Sequence, residues 1–247
     1  MRVALISDIH ANDIALKTVL RDIKQMRADQ IVCLGDVATL GLKPGAVVQQ
    51  LRALNCPCIF GNHDAYLLDP ELIHSYTSIP VILEAVDWSR NQLSSEDLDF
   101  LRTFKANLSI PLDEQIMLQV FHGSTLSFTD GILATTCPDD LDQMLGAYQA
   151  PVMAFGHTHI QMLRQHRGRF IVNPGSVGLP FQEYMVDETP TLLDSAEYAL
   201  VEAYQGVVRV TLQRVPLDQS ALLNEATETD NPLREYFIGQ YNHSKFK

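Results

Sequence analysis

The chain has 247 residues, of which 46% are hydrophobic and 19% are charged, a composition typical of folded globular proteins that excludes a mainly disordered chain. Thirty acidic and 18 basic residues give a formal net charge of -12, so the chain as a whole carries no electrostatic footprint for nucleic acid or for an anionic membrane. The first residues lack the apolar core of a signal peptide, and no stretch approaches the roughly 20 apolar residues of a transmembrane helix. We therefore expect a cytoplasmic protein with no membrane partner, whose four cysteines are reduced thiols of no special reactivity.

The first part of the chain alternates between strand-like and helix-like patterns. An apolar run at 3–7 predicts a buried strand, and apolar residues at helical spacing between 14 and 23 predict a helix. The pattern then repeats, with a strand at 31–34, a helix at 44–54 that begins at a proline, and a short strand at 58–60. This alternation predicts an α/β layer fold.

The second part is richer in strands. An amphipathic helix is predicted after Ser94, because Asp97 three residues later completes a variant of the capping box. Further strands are predicted at 116–121, 152–155 and 170–172, and a hairpin at 196–203 and 207–215 that turns at Gln205 and Gly206. Without internal repeats or linkers, we predict a single domain over 1–247, with a core at about 1–216 and a C-terminal extension at 217–247 that is helical or mobile.

Five apolar runs each end abruptly in residues that bind metals or phosphate groups. They are ALIS before Asp8-Ile9-His10, IVCL before Gly35-Asp36, CIF before Gly61-Asn62-His63-Asp64, LQVF before His122-Gly123, and VMAF before Gly156-His157-Thr158-His159. Ligands gather outside the carboxyl ends of strands in α/β sheets, so these clusters can converge on one place. Each cluster alone is typical of a turn or a capped strand end. Together, two Asp, one Asn and four His can surround two metal ions with nitrogen and oxygen ligands, with one carboxylate bridging both.

In this order, the motifs DxH, GD, GNHD, H and GHTH resemble the five-part signature of the calcineurin-like metallophosphoesterases. The segments at 36–44, 88–101 and 173–180 resemble the small bacterial and archaeal branch of that family, and the resemblance covers roughly residues 1 to 216. It implies a four-layer α/β/β/α sandwich of two facing mixed sheets flanked by helices, whereas the residue patterns alone predict only an α/β fold.

The resemblance also implies a metal-ligand set. One metal is held by Asp8, His10 and His159, the other by Asn62, His122 and His157, and Asp36 bridges the two. Imidazole-rich sites with carboxylates suit divalent transition metals, so we expect Mn, with Fe, Zn, Co or Ni as alternatives.

For the chemistry, the resemblance implies phosphate-ester hydrolysis. Two cations roughly 3.5 to 4 Å apart lower the pKa of a bridging water, so that a metal-bridging hydroxide exists at neutral pH and attacks phosphorus in line. His63 lies next to a ligand but outside the ligand set, and it is the candidate proton donor to the leaving group, with Asp64 orienting it. The alternative is that His63 only hydrogen-bonds bound phosphate and that Asp64 only caps the following helix.

The substrate is expected to be a small phosphodiester or phosphomonoester. Protein phosphatases and symmetrical diadenosine tetraphosphate hydrolases place an Arg beyond the Gly-Asp motif, and the phosphatases place another before Gly-Asn-His; here Thr39, Leu40 and Phe60 occupy these stretches. A nucleotide pyrophosphohydrolase and a protein phosphatase remain alternatives. A nuclease fits the net charge of -12 poorly. A further alternative is an inert scaffold that keeps the fold without the chemistry, similar to the metallophosphoesterase-like subunit of the retromer complex. It fits poorly because all seven ligand positions are filled.

Several features stay open at the level of sequence. The oligomeric state is one of them, because the apolar residues between 233 and 238 can equally dock on their own domain. The segment at 182–194 is longer than expected and is either a lid or a surface loop. Arg164, Arg167 and Arg169 are expected to face solvent from a hairpin rather than to meet substrate.

Overall fold

The computed structural model describes residues 1–185 and 188–242, which form two sheets and their flanking helices. In chain order the elements are β1 (Arg2–Ile6), α1 (Asp13–Met26), β2 (Gln30–Cys33), α2 (Pro44–Leu54), α3 (Asn62–Leu68), a 3₁₀ helix (Pro70–Ser75), α4 (Pro80–Asn91), α5 (Ser95–Leu101), β3 (Leu108–Pro111), β4 (Met117–Val120), α6 (Pro138–Leu145), β5 (Val152–Ala154), β6 (Met162–His166), β7 (Arg169–Asn173), β8 (Ser195–Tyr204), β9 (Val207–Pro216), α7 (Gln219–Thr227) and α8 (Arg234–Asn242). No helix in these two described ranges is long and apolar enough to span a bilayer.

Both sheets are mixed. The first has the strand order β2-β1-β8-β9, in which β1 is parallel to β2 and antiparallel to β8. The second has the order β3-β4-β5-β7-β6, with β4, β5 and β7 parallel and the two edge strands antiparallel to their neighbours. Parallel neighbours end at the same edge, so the loops after β1 and β2 meet, as do those after β4 and β5.

The two sheets face each other across an apolar layer. Alternate residues of β1 point to opposite faces, so Val3 and Leu5 enter the layer between the sheets while Ala4 and Ile6 pack with the helices. On the outer face of the second sheet, Leu141 of α6 packs in the cluster that holds Met153. The resulting order of helices, sheet, sheet and helix confirms the predicted four-layer α/β/β/α sandwich.

The predicted helix starts are confirmed by their caps. α2 begins at Pro44, and Asn12 caps α1 by accepting a hydrogen bond from the N–H of Ala15. The side chain of Ser94 accepts from the N–H of Asp97, whose carboxylate accepts from the N–H of Ser94, as the capping box requires.

Some predicted elements need correction. The run at 58–60 was predicted as a strand but is not one. It makes only isolated bridges among the described residues, one to β2 and one to Lys105, and no continuous ladder. The C-terminal extension, predicted as helical or mobile, forms two helices in its described part. The apolar side chains at 233–238 dock on the cluster that contains Leu42, Leu179 and Leu222. The predicted mobile end includes His243 and falls on 243–247, outside the described residues. The four cysteines are free, and Cys137 is exposed.

Candidate metal centre

The fold brings the seven predicted ligand side chains together at one edge of the two sheets. Two groups have ligand atoms that all lie within 4.8 Å of one another, namely Asp8, His10 and His159, and Asp36, His122 and His157. The seventh predicted ligand, Asn62, begins α3 and places its Oδ1 3.0 Å from both His122 Nε2 and His157 Nδ1. The structure thus places the predicted ligands as two adjoining groups; their role in binding metal stays a prediction.

In the first group, the imidazoles turn their Nε2 atoms toward each other. His10 Nε2 lies 3.1 Å from His159 Nε2, and the latter lies 3.3 Å from Asp8 Oδ1. The Nδ1 of His159 donates to the carbonyl of Leu179, at 2.7 Å, and the Nδ1 of His10 contacts Thr39 Oγ1. Because a neutral imidazole carries one proton, and His159 gives its Nδ1 proton to a carbonyl, the Nε2 of His159 keeps a free electron pair.

In the second group, His122 is oriented in the same way. Its Nδ1 donates to the carbonyl of Leu34, at 2.7 Å, so its Nε2 faces Asn62 Oδ1 and, at 3.2 Å, Asp36 Oδ2. The carboxylate of Asp36 adjoins both groups, because the same Oδ2 lies 3.8 Å from His10 Nε2. This is the position that the predicted bridging role requires.

The donor set fits divalent transition metals. The groups bring imidazole nitrogens with free electron pairs against carboxylate and amide oxygens, so electron-pair donors face one another at 3.0–3.3 Å. Only a cation or a proton between such atoms satisfies all of them. Carbonyls also fix the tautomers of His122 and His159, as is usual for histidines that bind metal.

The charges of the site depend strongly on one another. Burial acts to raise the pKa of Asp36, but the imidazoles of His122 and His63 outweigh it and hold that pKa well below its usual range. Burial acts in the opposite sense on His122, yet the adjacent Asp36 raises its pKa to about 10. Burial and His122 lower the pKa of His157 to about 4. Without a metal, the Nε2 of His122 therefore carries a proton toward Asp36 and Asn62, and a bound metal would take the place of that proton.

The backbone is strained at the site. Five of the seven predicted ligands have positive φ angles between 44° and 67°: Asp8, His10, Asp36, His157 and His159. Residues with a Cβ rarely adopt this conformation, and its cost is tolerated mainly where surrounding structure enforces it for function. The strain aims side chains two residues apart in the chain, such as Asp8 and His10, into one small volume.

The glycines before the ligands allow close approach, as predicted. A Cβ on Gly35 would lie 2.8 Å from the N of Gly61, a Cβ on Gly61 would overlap the carboxylate of Asp36, and one on Gly156 would overlap Ser7 Oγ. Gly35 also has a φ of 101°, which favours glycine. These glycines let two metal-ligand loops touch backbone to backbone.

Asp64, which is predicted to orient the proton donor His63, contacts backbone groups of two loops. The carboxylate of Asp64 accepts hydrogen bonds from the N–H groups of Asp36, Val37 and Gly61. The third residue of a helix commonly folds back onto its start, so these hydrogen bonds favour the capping alternative, and the orienting role of Asp64 stays a prediction. Burial, and then the charge of Asp36, raises the pKa of Asp64 to about 7.

His63 lies beside the metal groups. Its ring is 4.9 Å from that of His10 and 5.2 Å from that of Tyr66, measured between centroids. Among residues 1–185 and 188–242, no side chain or backbone group hydrogen-bonds its buried Nδ1. Burial lowers the pKa of His63. A buried imidazole with a spare nitrogen can bond a substrate oxygen.

A segment from 173 to 180 supports the ligand loops from behind. Asn173 donates to the carbonyl of Gly156 and to Thr158 Oγ1, which holds the loop between the two ligands His157 and His159. Ser176 donates to the carbonyl of Asp8 at 2.7 Å. This segment thus hydrogen-bonds ligand loops of both groups.

Two aromatic residues at the site were missed. The ring of Phe181 stacks on His159 at 4.3 Å, and the ring of Tyr76 lies 6.4 Å from His63 and 6.2 Å from His157. Neither follows an apolar strand, so the pattern that found the ligands could not find them. The three arginines at 164–169 contact carbonyls and acids of the region 133–149, as expected for a hairpin outside the site.

Comparisons with known proteins agree with this geometry. A family model described as the calcineurin-like phosphoesterase superfamily domain matches residues 1–194. An uncharacterised protein of Methanocaldococcus jannaschii is 29% identical over 236 residues, which cover 84% of this chain and 92% of that protein. The crystal structure of a metallophosphoesterase from Sphaerobacter thermophilus has a TM-score of 0.76 at 27% identity and covers 98% of both chains.

A structure of a hypothetical protein from Pyrococcus horikoshii shows the same fold, with a TM-score of 0.80 at 20% identity and 96% coverage of both chains. The family model spans well over half of the chain. This protein therefore belongs to the calcineurin-like phosphoesterase superfamily, a metal-dependent family, and carries two candidate metal-binding groups.

Proposed function

We propose that this protein is a dinuclear metal-dependent phosphodiesterase for small substrates. The observation that carries the proposal is the position of Asp36, whose Oδ2 faces His122 Nε2 at 3.2 Å and His10 Nε2 at 3.8 Å. A carboxylate shared between two histidine-rich groups is what two adjacent cations require. Family membership and the relative called a metallophosphoesterase support the same chemistry.

The residues present divide into two candidate metal sites. Asp8, His10 and His159 would hold one cation, Asn62, His122 and His157 the other, and Asp36 both. When bound, the two cations supply a water acidic enough to attack at neutral pH and neutralise charge on the phosphoryl oxygens. Mn is the expected metal, because nitrogen and oxygen ligands of this kind suit it and the other transition metals better than Mg.

The reaction is hydrolysis of one ester bond. A new bond forms between phosphorus and the oxygen of water, the bond from phosphorus to the leaving oxygen breaks, and a phosphomonoester and an alcohol result. The two protons of the water end on the products, one of them on the leaving oxygen. We assign that last transfer to His63, whose Nδ1 is buried without a partner among the residues described. The negative charge of a bound phosphate favours its protonated form.

The substrate is small because the protein lacks the means to grip a large anion. No Arg lies within a few residues after the Gly-Asp motif or directly before Gly-Asn-His, so the guanidinium clamp expected of a protein phosphatase is missing. The net charge of -12 disfavours long polyanions. A small diester with one negative charge needs neither feature.

The experiment compares two substrates that share a leaving group. Protein stripped of metal and reloaded with Mn²⁺ is assayed with bis(p-nitrophenyl) phosphate and with p-nitrophenyl phosphate. We expect a higher kcat/KM for the diester. Asp36→Ala should abolish turnover, whereas the control Asp99→Ala should retain it, since Asp99 pairs with Arg102 on the exposed face of α5. A preference for the monoester, or equal turnover by Asp36→Ala, would contradict the proposal.

A further inference from the structure

A cavity of about 260 Å³ adjoins the second metal group. Its walls come from Phe60, from Asn107 in the loop before β3, and from the loop Ser124–Phe128 that follows the ligand His122. We call it the His122 cavity. Its volume is somewhat below the usual range of about 300–1,000 Å³ for whole-ligand sites, which fits one ring system rather than a complete substrate.

The His122 cavity adjoins the proposed metal centre through His122. His122 itself lines it, and Phe60 directly precedes the Gly61-Asn62 loop of the same metal group. The proposed acid, His63, packs elsewhere, against His10 and Tyr66. A substrate centred on the metals therefore has two different environments for its two ester groups, one beside His63 and one in the cavity.

The walls match an uncharged aromatic group. Phe60 and Phe128 are arranged edge to face, with ring centroids 6.5 Å apart, and Phe128 is 39% exposed. Apart from His122, none of the residues lining the cavity, all of which the structure describes, belongs to an ionisable type. A second phosphate would find no cation there. The Oδ1 of Asn107 accepts a hydrogen bond from Gln119, so the amide N–H groups of Asn107 can donate to the polar edge of a ring.

We propose that the His122 cavity binds the ester group that stays on phosphorus, and that this group is a planar aromatic system such as a nucleoside base. The inference rests on the proposed function for its catalytic consequence. It separates the roles of the two ester groups: the leaving group lies beside His63, and the retained group packs in the cavity against Phe60 and Phe128. A substrate with only a small retained group leaves the cavity unfilled.

The test varies the retained group at a constant leaving group. The Mn²⁺-loaded protein is assayed with methyl p-nitrophenyl phosphate, bis(p-nitrophenyl) phosphate and thymidine 5′-(p-nitrophenyl phosphate), all of which release p-nitrophenol. We expect the two aromatic esters to have kcat/KM about tenfold or more above that of the methyl ester, because stacking on an aromatic side chain contributes about that much per base. A preference for thymidine over p-nitrophenyl would assign the cavity to a nucleoside, and the reverse to a simpler aromatic ring.

Two variants address the cavity directly. Phe128→Ala should reduce kcat/KM for the aromatic esters about tenfold more than for the methyl ester, chiefly through KM. Ala106→Trp should have the same selectivity by filling the cavity, and it tests the inference if Phe128→Ala fails to fold. Tyr204→Ala is the matched control, because Tyr204 is 71% exposed at the end of β8 and should leave all three activities unchanged.

Binding separates this inference from the proposed function. Calorimetry should show that thymidine 5′-monophosphate binds the Mn²⁺-loaded protein more tightly than methyl phosphate, and that both cavity variants remove the difference. That result in a protein that hydrolyses none of the esters would support the cavity and contradict the phosphodiesterase. Equal affinities, or variants with unchanged preference in a protein that hydrolyses diesters, would overturn the cavity and leave the phosphodiesterase standing.

Discussion

At the scale of single residues, neighbouring side chains at the site divide the tasks between chemistry and scaffold. His63 has a buried Nδ1 beside the metal groups that no described residue hydrogen-bonds, while both oxygens of the next residue, Asp64, accept from backbone N–H groups of the two loops. Removing the first should change chemistry, and removing the second should change the shape of the loops. Only the removal of His63 should slow substrates to different degrees according to their leaving groups.

We predict that His63→Ala retains two metals. It should slow the hydrolysis of alkyl p-nitrophenyl phosphodiesters little and that of dialkyl phosphodiesters strongly, about 100-fold or more. A poor alkoxide leaving group needs a proton in the transition state, and p-nitrophenolate does not. The measurement is kcat for both substrate kinds together with metal content by mass spectrometry. His74→Ala is the control, because His74 is exposed in the 3₁₀ helix. If His63→Ala slows both kinds equally, His63 is not the acid.

We predict that Gly61→Ala weakens Mn²⁺ binding at least tenfold. An added Cβ would overlap the carboxylate of Asp36 and the backbone beside it, so the proposed bridging ligand must move. Calorimetric titration with Mn²⁺ measures the effect. Gly239→Ala in α8 meets nothing within 4 Å and should keep normal affinity. Unchanged affinity in Gly61→Ala would show that Asp36 can shift without cost.

Residue types, but not their geometry, were predictable from the sequence. Asp, Asn and His after apolar runs indicate metal chemistry because of what these side chains can bind. The positive φ angles of Asp8, His10 and Asp36 were invisible, because they arise from hydrogen bonds and packing between loops distant in the chain, such as the N–H of His10 to the carbonyl of Asp36. For the same reason, Asp64 was predicted next to its sequence neighbour rather than against the backbone.

At the scale of elements, the hairpin of β8 and β9 contains a buried acid. Glu197 is 1% exposed, pairs with Arg214 across the hairpin at 2.9 Å, and keeps an Oε2 with no hydrogen-bond partner in the described parts of the chain. Burial raises its pKa from 4.5 to about 7, although Arg214 opposes the shift. Above pH 7 the fold therefore holds an incompletely compensated charge.

This predicts a pH dependence of stability. Between about pH 4.5 and 7 the folded carboxyl holds a proton that the unfolded one releases, so this group makes the free energy of unfolding fall as pH rises. Glu197→Gln should make the decrease in the free energy of unfolding over this pH range smaller by up to about 3 kcal/mol. Urea denaturation of both proteins at pH 5 and pH 8 measures it. Parallel changes in the two proteins would contradict the raised pKa.

Elements with strong periodicity were predictable, and those that depend on distant partners were not. α1 and α2 have regular apolar spacing, and their predicted positions are confirmed. α6 was missed although Pro138 and two acids mark its first turn, because it is short and buries just Leu141 and Leu145 fully. The run at 58–60 is apolar because both sides are covered, not because it pairs as a strand.

At the scale of the whole molecule, the proposed centre joins the two sheets. Asp8 and Asp36 follow strands of the first sheet, whereas His122 and His157 follow strands of the second. Metal binding therefore links the two halves of the sandwich, and the strained loops that hold the ligands meet there. Without a bound cation, the electron-pair donors of the site repel one another, and this repulsion destabilises the contact between the two sheets.

We predict that Mn²⁺ stabilises the whole fold. At a free concentration 100-fold above Kd, one bound ion adds about 2.7 kcal/mol to the free energy of unfolding, or a rise in Tm of about 5–10 °C for a chain of this size. Differential scanning calorimetry with Mn²⁺ and with a chelator checks this. A Tm that does not respond to Mn²⁺ would mean that the two groups do not bind it in the folded state.

The fold class was predictable because the order of strands and helices limits the possible layers, and the resemblance supplied the second sheet. The His122 cavity and the aromatic contacts of Tyr76 and Phe181 were not predictable, because the residues that form them lie in loops without a repeating pattern.

The most direct measurement of the central claim is a crystal structure of the Mn²⁺-loaded protein with anomalous diffraction data recorded at the Mn edge. We predict two anomalous peaks, one among Asp8, His10 and His159 and one among Asn62, His122 and His157, with the carboxylate of Asp36 contacting both. A single peak, or two peaks of which Asp36 contacts only one, would contradict the shared dinuclear centre.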